Sequence, residues 1–134
     1  MVRSVKKIIG VKQRMITILI RCSDPRINKV VDEFLNAGEK YAIINTGSIK
    51  YFIVQDKLSD LFDQINLLVS GFDANKIIVT NHTDCGFYKQ LDQDKETYYL
   101  SDLKNIKKSL LETFPQMKVG CYLIDTKRGT KVNV

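Results

Sequence analysis

The sequence predicts an α/β fold: a mostly parallel sheet with flanking helices and an antiparallel C-terminal edge strand. Two observations lead there. Short β-branched, apolar runs alternate with amphipathic helical stretches, the order expected of right-handed strand–helix–strand crossovers. The last two apolar runs instead follow one another directly around a Lys-Arg-Gly turn, which requires an antiparallel pair. With 134 residues, the chain suits one domain. We divide it into a basic N-terminal arm, residues 1–14, and a single α/β domain, residues 15–134.

"MITILIRC" (15–22) is a continuous apolar run, the mark of a strand buried on both faces, and "YAIIN" (41–45) and "KIIVTN" (76–81) read the same way. Between them, "PRINKVVDEFLNAG" carries Ile27, Val30, Val31, Phe34 and Leu35 on one helical stripe, with Pro25 in the first turn and Gly38 as the stop. "KLSDLFDQINLLVSG" repeats the pattern with Leu58, Leu61, Phe62, Ile65, Leu68 and Val69. "SDLKNIKKSLLETFP" gives a third helix, capped by Ser101 and closed by Pro115. "KVGCYLID" and "TKVNV" are the closing strands, and "DQDKE" (92–96) is a polar loop.

Hydrophobic residues make up 44% and charged residues 27%, which fits a packed core rather than a disordered chain. No apolar run approaches the roughly 18 residues of a membrane span. "MVRSVKKIIGVKQR" lacks the apolar core of a secretory signal, and three cysteines are an odd set for a disulfide framework. A cytoplasmic, reducing setting is expected, with thiols free to bind metal. The net charge of +6 is concentrated: residues 1–21 hold six bases and no acid, and the remaining 15 bases balance 15 acids. We read the arm as a solubilising segment ahead of a nucleic-acid contact or a mitochondrial presequence.

Cys22 ends the first strand, and His82 and Cys85 follow the third. In open parallel sheets, sites form outside the carboxyl ends of the strands. Neighbouring first and third strands would therefore bring these three side chains together. Two thiolates and an imidazole suit tetrahedral zinc, and three protein ligands leave a fourth position open, the catalytic pattern. Cys121 falls inside a strand and reads as core. Asp24 and Arg26 lie just beyond Cys22. A carboxylate there could close the zinc site, unless an arginine two residues on held it in a bidentate pair. The simpler alternative is an N-cap aspartate with a surface ion pair.

"CSDPR" (22–26) followed by "HTDC" (82–85) and Gly86 resembles the β-class carbonic anhydrases. "IINTG" (43–47) resembles that family's Arg-Asn-Ala-Gly segment, with Ile44 in place of arginine and Thr46 in place of alanine, and the closing strands are similar too. The resemblance implies Zn2+ held by Cys22, His82 and Cys85, with Asp24 and Arg26 as the catalytic dyad. It implies reversible hydration of carbon dioxide to bicarbonate, and a homodimer or higher homo-oligomer. Two alternatives stand beside it: hydrolysis of carbonyl sulfide or carbon disulfide at the same site, or a non-catalytic zinc-binding protein with the site closed by Asp24. Val69, Gly86 and Phe87 are candidate pocket walls. Because the only histidine is committed to zinc, Tyr51, Tyr88 or external buffer must carry protons.

Overall fold

The computed structural model describes residues 15–34 and 39–134. The basic arm, Leu35 and the Gly38 stop lie outside the described residues. Five strands form one sheet in the order β2-β1-β3-β4-β5, where β1 is Ile16–Cys22, β2 Glu39–Asn45, β3 Lys76–His82, β4 Lys118–Asp125 and β5 Thr130–Asn133. The first four strands pair in parallel, and β5 adds to β4 in antiparallel fashion, with Asp125 opposite Thr130. This is the predicted α/β class.

The strands owe their positions to side-chain burial. Central β1 and β3 carry Ile18, Leu19, Ile20, Ile77, Ile78 and Val79, all buried, as double-sided strands should. β2 departs from the expectation. It is an edge strand, in which Ile43 is buried but Ile44 is 52% exposed. An apolar run cannot distinguish a central strand from an edge whose second face is uncovered.

The helices are α1 (Asn28–Glu33), α2 (Ile49–Val54), α3 (Leu58–Phe72), α4 (Gly86–Gln90) and α5 (Glu96–Thr113), with a 3-10 turn over Pro25–Ile27 leading into α1. α3 matches its stripe, burying Leu61, Ile65 and Val69. α5 begins earlier than its expected Ser101 cap. Tyr99 extends the Leu103, Ile106 and Leu110 stripe by one turn, so burial of an aromatic ring outweighs the local capping signal. The short helices α2 and α4 were not anticipated, since one turn or so is too brief to show a period. No described helix is long and apolar enough to cross a membrane.

Candidate metal centre

Because β1 and β3 run parallel in register, from Thr17 opposite Lys76 to Ile20 opposite Val79, their carboxyl ends open at the same sheet edge. Cys22 closes β1, His82 closes β3, and Cys85 caps α4 three residues later. Among the described residues, these three form the one converging group of potential metal donors, with their donor atoms within 4.8 Å of one another. All three are buried. Cys121 faces Val79 in mid-sheet, apart from the group, and burial pushes its thiol up to about 11.

The imidazole is fixed from behind. His82 Nδ1 lies 2.8 Å from the Thr83 carbonyl oxygen, which can only accept, so Nδ1 carries the proton and Nε2 presents a lone pair. The Thr126 hydroxyl donates to the same carbonyl over 3.1 Å, and its backbone N–H donates to Thr83 Oγ1. Nε2 itself is buried and has no hydrogen-bond partner. Such an orphan normally costs stability, and a metal at that point would satisfy it.

The sulfurs are supported in different ways. The Gly47 N–H donates to Cys22 Sγ over 3.3 Å. Gly47 has φ +73, and a Cβ there would lie 2.6 Å from the Phe87 ring, so both backbone conformation and close approach demand glycine. The Cys85 N–H donates to Tyr99 Oη, which in turn donates to Asp94. The Cys85 S–H, aided by His82, holds the Cys22 thiol well below its usual range against the opposing effect of burial, and the Cys85 thiol is correspondingly raised. Burial works against a charged His82, yet contacts with Cys22, Thr83 and Asp24 raise its pKa on balance.

Asp24 and Arg26 stand at the mouth. Asp24 caps the 3-10 turn by accepting the Arg26 N–H, as the simpler expectation held. Its carboxylate is also gripped by the guanidinium, with Nη2 and Nε at 2.7 and 3.0 Å from Oδ2. That grip, set against partial burial, lowers the Asp24 pKa. Oδ2 remains only 3.9 Å from His82 Nε2. The adjoining cavity, about 560 Å³, is lined by Cys22, Asp24, Pro25, Thr46, Gly86 and Phe87 among others. Val69 is not among them. α3 runs back toward the amino ends of the strands, which carries Val69 to a different hollow beside Phe114.

No protein-family model matches the chain. An uncharacterized protein of Rickettsia bellii is 27% identical over 123 residues, 81% of this chain and 75% of that protein. Among solved structures, the carbonic anhydrase of Streptococcus mutans superposes with a TM-score of 0.62 at 15% identity, covering 98% of this chain and 92% of that one. A structure of tetrameric β-carbonic anhydrases from Sordaria macrospora gives 0.54 at 15% identity, covering 97% and 85%. A carbon disulfide hydrolase in its apo form gives 0.55 at 16%, covering 96% and 83%. The fold is therefore that of the β-carbonic anhydrases and their relatives.

Proposed function

We propose that the chain is a zinc-dependent carbonic anhydrase, interconverting carbon dioxide and bicarbonate, with Cys22, His82 and Cys85 as the metal ligands. One observation carries the reading: Asp24 lies within 3.9 Å of His82 Nε2 yet is held by Arg26. A purely structural site gains from a fourth anionic donor, whereas a catalytic one keeps that position open. The orphaned Nε2 and the paired thiols fit zinc's preference for nitrogen and sulfur. Bound zinc would supply an acidified water as nucleophile, less acidified than with three imidazoles because two thiolates cancel its formal dication.

The remaining roles fall to this chain's own side chains. Asp24, kept ionised by Arg26, can only accept a hydrogen bond, so it orients a donor at the cavity mouth. Thr46, Pro25 and Phe87 wall the approach for a small linear substrate. Tyr88 does not serve as a proton carrier. It is fully buried, its hydroxyl donates to Asp102 over 2.7 Å, and burial raises its pKa. Half-buried Tyr51 and external buffer remain for that role. The carbon disulfide hydrolase among the structural neighbours supports a second reading, hydrolysis of carbonyl sulfide or carbon disulfide at the same site.

A homo-oligomer completes the proposal. Exposed Ile44, Leu67 and Phe72 offer apolar surface for a second copy, and the tetrameric neighbours support the same reading. An active monomer by light scattering at assay concentration would contradict it. For the site itself, His82→Ala should lose tight zinc, since only three protein ligands hold it. Retention of one zinc per chain at wild-type affinity would refute the ligand assignment.

A further inference from the structure

Arg26 restrains Asp24, but its own side chain is 47% exposed. An exposed arginine gains little from a single surface pair and has many rotamers to occupy. Something must hold the guanidinium in place, and the outer side of Arg26 shows what does. Nη1 donates to Asp84 Oδ2 over 2.8 Å, and Nη2 donates to the Asp84 carbonyl oxygen over 2.9 Å. Asp84 therefore grips the outer edge of the fork with backbone and side chain while Asp24 occupies the inner edge. Its backbone is left-handed, φ +58, a conformation that aspartate and asparagine tolerate better than other non-glycine residues. Its other carboxylate oxygen pairs with Lys89 of α4, which ties the loop to a helix.

From this geometry we propose that Asp84 is a positioning residue: it clamps Arg26 against Asp24 and so keeps Asp24 from closing the fourth metal position. The inference rests on the proposed ligand set and dyad and adds a residue to which neither assigns a role. The sign of each charge in the row Lys89, Asp84, Arg26, Asp24 alternates, so every member is attracted by its neighbours. Removing Asp84 frees the guanidinium to turn toward solvent. Asp24, an anionic oxygen donor next to the cluster, then keeps the Arg26 backbone N–H on Oδ1 but loses the guanidinium's hold on Oδ2.

Cobalt-substituted protein tests this, because its visible spectrum reports the coordination shell independently of turnover. Asp84→Ala should bind one cobalt per chain, and its spectrum should move toward that of Arg26→Ala. Azide, as a probe of the fourth position, should bind 10–100-fold more weakly, the usual span for outer-shell partners. Asp84→Asn preserves the left-handed backbone and a neutral acceptor, so it should fall between wild type and Asp84→Ala and serves if the alanine variant folds poorly. Asp24→Asn combined with Asp84→Ala should restore azide binding to the level of Asp24→Asn alone. A wild-type spectrum and azide affinity in Asp84→Ala, beside changes in Arg26→Ala, would overturn the clamp and leave the dyad intact. No change in either variant would overturn both. Loss of cobalt stoichiometry in Asp84→Ala and Asp84→Asn would make Asp84 a support of the ligand loop and overturn the clamp as well.

Discussion

Two charged networks flank the cysteine–histidine cluster, and they are built on opposite plans. The inner one sits among α2, β3, α4 and α5. Lys50 Nζ lies 2.9 Å from Asp102 Oδ2, with the two side chains only 8% and 15% exposed. The Tyr88 hydroxyl donates to the same carboxylate oxygen, Asn81 Nδ2 donates to the Tyr88 oxygen, and the Tyr88 and Tyr99 rings pack 4.4 Å apart. The outer network, from Asp24 through Arg26 and Asp84 to Lys89, lies at the cavity mouth, where Arg26, Asp84 and Lys89 are 36–51% exposed and only Asp24, at 17%, is mostly covered. Breaking a buried pair strands an uncompensated charge, whereas surface pairs are individually weak. The inner network should therefore govern whether the scaffold stands, and the outer one what the site does.

The largest effect should come from the inner network. Lys50→Met leaves the mostly covered Asp102 without its cation and should cost about 3 kcal/mol in denaturant unfolding. A loss no larger than that of an ordinary surface substitution would erase the distinction between the two networks. Next comes Asp24→Asn, which should leave zinc content and unfolding midpoint near wild type while carbon dioxide hydration falls about 10²-fold, because an oriented acceptor is lost. Parallel losses of stability and activity would instead make Asp24 a structural cap.

The smallest effect is the pH dependence of stability. Lys89 and Arg26 hold Asp84 down to about 2, and Arg26 holds Asp24 below its ordinary 3.8. Both folded values lie below the unfolded ones. Stability from these pairs is thus fully present above about pH 4 and is lost as pH falls through the depressed values. The gap in thermal midpoint between wild type and Arg26→Ala should be constant above about pH 4 and should narrow toward pH 2. A gap independent of pH throughout that range would mean that the outer pairs contribute nothing to folding.

The contrast also explains what could be read in the sequence. Cys22, His82 and Cys85 were legible because rare side chains fell at the ends of recognisable strands, and parallel topology brings such ends together. Asp24 and Arg26 were legible from their nearness to Cys22. Asp84 went unread although it lies inside "HTDC", since only the fold brings its carboxylate to an arginine 58 residues away. Thr126, 43 residues from Thr83, was hidden for the same reason. Nothing local in the sequence marks Lys50, a buried cation whose partner Asp102 lies in a later helix. β2 reads as doubly buried yet exposes Ile44, because the composition of a strand records its hydrophobicity and not which faces its neighbours cover. The adjacency of β1 and β3, on which the convergence of the three side chains depends, is set by the sheet order and not by any local pattern, and α2 and α4 are too short to leave one.

The proposed activity is hydration of carbon dioxide at the cluster beside its restrained aspartate. The direct measurement is zinc content and stopped-flow carbon dioxide hydration on the same zinc-loaded preparation. One zinc per chain is expected, with hydration that rises through mildly alkaline pH because two thiolates offset the metal's charge. Full zinc occupancy with no hydration above the buffer rate at any pH would contradict it.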